Sequence, residues 1–390
     1  MKCEMNGGQS SLLLTRRCAV GIIGAFTLGT SGLLGCSANE PSQDVAEEDA
    51  SQESQQRVQE EPSSSSESWT GELPESCACV AEYAGNTVAI IDLDKKEIIG
   101  RVSMIQNPSM IVSDADTVYV SASGEGRVYA ISKATGATTA IEAGNQPIGM
   151  CLNQGVGVLY VCDYFDATIR FVDTKLGSVV NSLRLSASGF QHRTDPPECC
   201  RKTPGVGRRP VAMALSPDGS MLYSINYGTY DIACVSLVDE KEIGAYDGVV
   251  GPRTVVSSKD GRLLIVAGVG GEDEEQVGEL YIVDRESGER LDKVPVGLSV
   301  ADVCLSQDGM LAYAIARDAG DLVLFESQTW KEVSRVSAGN GIESLTLSKD
   351  ESLVLVANSQ LGIVTAFDSA TLEKAFEIEG LANPKDIACV

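Results

Sequence analysis

The chain of 390 residues contains a single histidine, His192. Histidine-rich zinc or haem sites are therefore excluded, and any Ser-His-Asp triad would have to use that one residue. Aromatic residues make up only 5% of the sequence, so stacking platforms for sugars or bases are scarce. Basic residues are outnumbered, 30 Lys and Arg against 55 Asp and Glu, and the net charge is −25. Nucleic acids and anionic membrane surfaces need basic patches, which argues against both as partners. No HExxH, GxSxG, P-loop or CxxCH motif occurs. Gly268-Val-Gly-Gly271 precedes no helical pattern and is too loose for a dinucleotide fingerprint. Catalytic residues, metals and cofactors are accordingly expected to be none.

What is present begins with an export pattern. Arg16-Arg17 precede a mostly apolar run from Ala19 to Leu34. The run is shorter than the roughly 20 residues of a membrane span and fits the core of a signal peptide. It ends in Leu33-Leu34-Gly35-Cys36, which resembles a bacterial lipobox. That resemblance implies cleavage after residue 35 and lipid attachment at Cys36. Thr15-Arg16-Arg17 also resembles a twin-arginine signal, without the aromatic that usually follows. Residues 36–76 read as a tether: Ser, Gln and Glu dominate, and apolar content is too low to offset ordering entropy. The expectation is a domain outside the cytoplasm, held to a bacterial membrane by lipid alone.

Residues 77–390 repeat with a period of about 40 residues, in the range of propeller blades. In Arg209-Pro-Val-Ala-Met-Ala-Leu-Ser-Pro-Asp-Gly-Ser-Met-Leu-Tyr-Ser-Ile-Asn-Tyr227, an apolar strand starts at a proline and a Ser-Pro-Asp-Gly turn leads to a second strand. The turns Lys259-Asp-Gly261 and Gln307-Asp-Gly309 fall at the same point of later units. Short apolar and β-branched runs bounded by such turns are strands. Seven units emerge: 77–104 with 382–390, then 107–143, 146–186, 209–248, 249–297, 298–339 and 340–380. The first unit supplies only three strands. Pro384-Lys-Asp-Ile-Ala-Cys-Val390 supplies the fourth, so the reading is an all-β, seven-bladed propeller closed by strands from both termini.

The proline start, the Ser216-Pro-Asp-Gly219 turn, Leu159-Tyr-Val-Cys-Asp163, Val172-Asp173 and Ile282-Val-Asp284 resemble the YVTN-type β-propeller repeat. The resemblance spans residues 77–390. The Gly-His and Trp-Asp signatures of WD40 repeats do not recur. Proteins with similar repeats include binding proteins, lactonase-like proteins and subunits of redox enzymes, so it fixes fold rather than activity. The main expectation is a monomeric binding or scaffold module whose loop face takes a protein or anionic ligand. The alternatives are a lactonase-like hydrolase or lyase using polar residues around the central channel, and an accessory subunit of a periplasmic redox enzyme. Lactonase-like enzymes rely on polar residues at particular positions, and none is matched here.

The loop face carries three candidate features. The insertion 187–208 holds His192 and the basic residues Arg193, Arg201, Lys202 and Arg208, in contrast with the acidic whole. Salt-sensitive steering of an anionic partner is the expectation there. A second feature is the acidic loop Glu272–Glu275, which could instead pair with that insertion. The third is the set Asp163-Tyr164-Phe165-Asp166, Asn226-Tyr227 and Tyr230-Asp231, residue types that also commonly end strands in this repeat. Among the 12 cysteines, Cys3 and Cys18 leave with the signal and Cys36 takes lipid, leaving an odd number. Cys77 and Cys389 are candidates for a disulfide joining the termini, with Cys79 as the alternative partner. Cys199-Cys200 lies in the insertion and is a candidate redox or disulfide pair. Cys151, Cys162, Cys234 and Cys304 read as core thiols.

Overall fold

A computed structural model describes residues 68–103, 105–186, 207–270 and 277–390. Cys36, His192, Arg193, Cys199, Cys200, Arg201, Lys202 and Glu272–Glu275 lie outside the described residues. The described chain forms 28 strands, β1 to β28, in seven four-stranded antiparallel sheets. Strands innermost in the ring are β28 (Pro384–Cys389), β4 (Pro108–Ser113), β8 (Pro147–Asn153), β12 (Pro210–Leu215), β16 (Pro252–Ser257), β20 (Val300–Leu305) and β24 (Ile342–Leu347). They meet in that order around the axis, and β24 returns to β28. Blade 1 is thus the one containing β28, and blades 2 to 7 follow in sequence.

The second strand of each blade shows why the sequence closes into a ring. In β1 (Cys77–Glu82) all six residues are buried, and in β25 (Leu353–Asn358) five of six are. Both faces of such a strand are apolar because a neighbouring blade covers each one. Val88, Ile90, Ile111, Val118 and Val120, for example, join blades 1 and 2 in one cluster. At roughly 25 cal/mol per Å² of buried apolar surface, this blade-to-blade packing is the main source of cohesion. Between first and second strands, four blades share one turn. Ser216, Ser258, Ser306 and Ser348 each donate their hydroxyl to the aspartate two residues on. Gly219, Gly261 and Gly309 then take positive φ of 67°, 71° and 75°, which glycine adopts without steric cost.

β28 completes blade 1 by pairing with β1, Cys79 opposite Ala388 and Val80 opposite Ile387. Glu82 locks this closure. Fully buried, its carboxylate receives Arg101 Nε at 2.8 Å and the amide of Ala382 at 3.0 Å. The expected Cys77–Cys389 staple is not formed, and both residues are free thiols. The register sets Ala78, not Cys77, opposite Cys389. A one-residue offset in a strand sends the side chain to the other face. Cys77 accordingly packs with Cys79 and Ile90, while Cys389 packs with Ala78 and Val80.

The tether reading also needs correction at its end. Within residues 68–76, grouped with the linker on composition, the Trp69 amide bonds Arg101 O at 2.7 Å and the Leu73 amide bonds Lys133 O at 2.8 Å. Trp69 and Leu73 are the first apolar side chains after the polar stretch, and both join the cluster between blades 1 and 2.

Candidate functional site at the channel mouth

One irregularity recurs in every innermost strand. The register slips after the first residue, between Pro108 and Met110, Pro210 and Ala212, Pro252 and Thr254, Val300 and Asp302, and Ile342 and Ser344. In β28 Pro384 pairs with Glu82 and Asp386 with Ala81, and in β8 the slip spans Pro147 to Met150. A β-bulge re-aims side chains and breaks their alternation. Arg253 and Glu343, unpaired on blades 5 and 7, meet across blade 6, which puts this position on the channel, whereas Ala301 and, one residue further on, Ala212 are core residues, each 6% exposed. The unpaired ring runs Lys385, Ser109, Ile148, Val211, Arg253, Ala301 and Glu343 from blade 1 to blade 7. Beneath it lie Asp386, Met110, Gly149, Ala212, Thr254, Asp302 and Ser344.

Loops fix this end of the ring by a seven-fold hydrogen bond. Amides of Tyr83, Ser123, Tyr164, Tyr227, Val269, Arg317 and Ser359, each just beyond a second strand, donate to the carbonyls of Asn383, Asn107, Gln146, Arg209, Gly251, Ser299 and Gly341. Those acceptors immediately precede the innermost strands. The rim of the mouth is therefore built from these two sets of residues.

Charge concentrates on one side. Lys385 Nζ lies 2.8 Å and Arg253 Nη2 3.4 Å from Glu343 Oε2, and Arg317 Nε lies 2.8 Å from Oε1. The Arg253–Glu343 contact runs from blade 5 to blade 7 past blade 6, so both side chains point at the axis. Burial would raise the Glu343 carboxyl, but Lys385, Arg253 and Arg317 outweigh it and hold the group below its ordinary value. Burial pulls the Lys385 ammonium below its usual range despite Glu343. Arg317 also touches Asp318 at 3.4 Å. Arg253, Arg317 and Lys385 thus converge on Glu343, with Asp318 beside Arg317.

Directly below, two more carboxyls share a serine. Ser344 Oγ lies 2.7 Å from Asp386 Oδ1 and 3.2 Å from Asp302 Oδ2. Asp302 Oδ2 accepts the Leu345 amide at 3.1 Å, and Asp386 Oδ2 accepts the Ile111 amide at 2.7 Å. A hydroxyl carries one proton, so Ser344 satisfies one carboxylate as donor, and the other carboxyl must supply its own proton to the hydroxyl. Burial, with the Asp386 charge adding to it, pushes Asp302 up to about 7, and burial raises Asp386 as well. The mouth therefore holds one carboxylate that its cations favour in the ionised form and one carboxyl pair that burial favours in the protonated form, with Asp302 at about 7. Separation of titrations in this way marks acid–base sites.

Of the basic insertion, Arg208 is the one described member of the expected recognition set. It is 2% exposed and turned inward: Nη2 lies 2.6 Å from Glu242 Oε1, Nη1 lies 3.2 Å from Asp231 Oδ2, and Nε donates to Ser186 O at 2.8 Å. The reading of Arg208 as a partner-binding cation is corrected: blade 4 uses it internally. Asp163 is likewise committed, accepting the amides of Gln146, Phe165 and Asp166 and pairing with Arg170 at 3.2 Å. Asn226 and Asp231 hydrogen-bond each other at 2.9 Å. Tyr164 is 6% exposed and packs edge-on against Phe165 with ring centroids 5.5 Å apart, and Tyr227 packs edge-on against Tyr230 at 5.9 Å. Cys151 and Cys304, on innermost strands, are partly buried against the core between blades, while Cys162 and Cys234 are core. Burial pushes the Cys151 thiol up to about 12 and Cys304 well above its ordinary value, so both stay protonated and inert.

The residues of this site were absent from the sequence expectations. Their signal was the residue after each strand start: Arg253, Glu343 and Lys385 interrupt a repeat that carries Ile148, Val211 and Ala301 at the same place.

A family comparison matches residues 96–374 to "Lactonase, 7-bladed beta-propeller". The chain belongs to that family. Among solved structures, it is similar to the periplasmic gluconolactonase PpgL of Pseudomonas aeruginosa, with TM-score 0.62 and 18% identity over 80% of this chain and 98% of that one. A Bacteroides fragilis protein provisionally named 6-phosphogluconolactonase aligns with TM-score 0.64 and 16% identity, over 81% and 98% of the two chains. Hydrazine synthase of Kuenenia stuttgartiensis aligns with TM-score 0.63 and 17% identity, over 78% and 95%. At such identities these likenesses speak for the fold alone. Among curated proteins no sequence match was found. Family membership favours the lactonase-like alternative over the binding-module expectation.

Proposed function

We propose that this propeller hydrolyses a lactone at the mouth of its channel. The observation that carries the proposal is the convergence of Arg253, Arg317 and Lys385 on Glu343 above the Asp302–Ser344–Asp386 carboxyl pair. Ring opening needs positive charge where the carbonyl oxygen becomes anionic and a base that accepts a proton from water. Glu343 is held too acidic to be that base, and it serves to fix the three cations in place. The Asp302–Asp386 pair, with one member near 7, is suited to it.

In this scheme water adds to the lactone carbonyl and gives a proton to the ionised carboxylate of the pair. Lys385 and an arginine stabilise the resulting oxyanion. The carbon–oxygen bond of the ring breaks, the departing ring oxygen takes the proton back, and a hydroxy acid forms. At neutral pH that acid releases one proton to solvent, so the sum is lactone and water to hydroxycarboxylate and H⁺.

The test is hydrolysis of δ-gluconolactone and δ-decalactone by the whole chain, corrected for spontaneous opening. Removal of one oxyanion donor costs roughly 10²–10³ in kcat. Lys385→Met should cause a loss of that size while the protein stays folded. Full activity in this variant would refute the proposal.

A further inference from the structure

The charged residues occupy only part of the ring, and the remainder says what else the substrate carries. Blades 3 and 4 place Ile148 and Val211 at the bulge position that holds Arg253, Glu343 and Lys385 in blades 5, 7 and 1. The next layer divides in the same way, with Met110, Gly149 and Ala212 on blades 2 to 4 and Thr254, Asp302, Ser344 and Asp386 on blades 5 to 1. Ser109, the polar exception on blade 2, is occupied, bonding Asn107 O at 3.0 Å and Ser123 Oγ at 2.8 Å. Above these layers the rim continues the division. Tyr164 and Tyr227 take the loop position that Arg317 takes on blade 6. Phe165, beside Tyr164 with ring centroids 5.5 Å apart, is 61% exposed, and the Arg209 guanidinium lies 5.5 Å from the Tyr164 ring centroid. In a ring of seven, blade 7 faces the junction of blades 3 and 4. The apolar wall therefore stands across the bore from Glu343 and its cations.

We infer that the ligand of this site is amphipathic: a lactone, or its ring-opened hydroxy acid, that bears an alkyl or aryl substituent. The inference rests on the reading of the mouth as a lactone site and specifies its substrate class. A polyhydroxylated ring would press hydroxyls against Ile148, Val211 and Met110, where the described residues carry no hydroxyl or charged side chain at these positions to pair with them, and an unpaired buried hydroxyl is penalised. A hydrocarbon substituent removes its own surface and that of the wall from water, and burial of two methylenes suffices for about tenfold in affinity. The carboxylate formed on ring opening meets Arg253, Arg317 and Lys385 on the other side.

Calorimetric binding of two hydroxy acids to the whole chain tests this without requiring turnover. The probes are 5-hydroxydecanoate, with a pentyl tail, and gluconate, with hydroxyls in its place. The expected result is binding of 5-hydroxydecanoate at least tenfold tighter than gluconate. The paired substitution Ile148→Ser with Val211→Ser should reduce that preference to near unity by weakening 5-hydroxydecanoate only. Phe165→Ser, at an exposed position that does not threaten folding, should reduce it part of the way. Gluconate binding as tightly as 5-hydroxydecanoate would overturn the inference, as would a preference untouched by all three substitutions. The preference without any lactone opening would support this ligand class and refute the hydrolase reading. Lactone opening without the preference would do the reverse.

Discussion

Replacing Asp302 with Asn isolates the shared proton of the channel. The side chain keeps its shape, and its oxygen can still accept the Leu345 amide and meet Ser344 Oγ, both of which lie at Oδ2 in the native protein. It loses the ability to titrate and the Oδ1 acceptor of the Val303 amide. In the native protein burial and the Asp386 charge raise the Asp302 carboxyl from 3.8 to about 7. The groups facing the pair are Ser344, the amides of Leu345, Val303 and Ile111, and the Lys385 ammonium, which favours ionisation of Asp386. A shift of about three units at about 1.4 kcal/mol each gives a ceiling of about 4 kcal/mol. Because the proton is shared with Asp386, about 2 kcal/mol is the working lower bound. Between pH 4 and pH 7 the folded protein holds a proton that the unfolded chain has released. The stability due to this group is therefore fully present below pH 4 and is lost as pH rises toward 7. Urea unfolding of native and Asp302→Asn proteins from pH 4 to pH 8 measures the difference. The variant should gain about 2–4 kcal/mol relative to native across that interval, with most of the change by pH 7. Parallel curves would refute the raised carboxyl and with it the acid–base role.

Deletion of residues 382–390 removes β28 and the Ala382 amide that binds Glu82; the truncated chain should aggregate or melt far below the intact one, and an equal melting temperature would contradict closure by both termini. Arg208→Met should destabilise by about 3–5 kcal/mol, because Asp231 and Glu242 would be left buried without their cation; chemical denaturation measures this, and a change below about 1 kcal/mol would show that Arg208 is not structural. We propose that Cys36 carries the lipid anchor, so Cys36→Ala should shift the protein from the membrane to the soluble fraction, and unchanged lipid labelling in that variant would exclude the assignment.

The blades were legible in the sequence because their signals are local. A proline, an apolar run and a Ser-x-Asp turn recur at a steady interval, and the missing strand of the first unit could be found by elimination at the other terminus. The site was not legible because no local stretch contains it. Arg253, Asp302, Glu343 and Lys385 come from four blades and meet because the same bulge recurs in each innermost strand, and Arg317 joins them from the loop beyond the second strand of blade 6. Each looks, in its own segment, like an ordinary charge at a strand end or loop. Arg208 was misjudged for the opposite reason: a basic residue in a polar insertion reads as solvated, and its partners Asp231 and Glu242 belong to other strands of the blade. The Cys77–Cys389 expectation failed by one residue of register, which alternation converts into opposite faces. Trp69 and Leu73 were absorbed into a compositional average dominated by the polar residues before them.

The pH dependence of kcat/KM for δ-decalactone opening, followed by acid release and corrected for spontaneous hydrolysis, tests the central claim most directly. If the carboxyl pair is the base, the native rate should rise through about pH 7 as the shared proton leaves, and Asp302→Asn should lose both that limb and most of the rate. A folded native protein that does not accelerate opening, or an Asp302→Asn variant with the native profile, would contradict the assignment of lactone hydrolysis to the channel mouth.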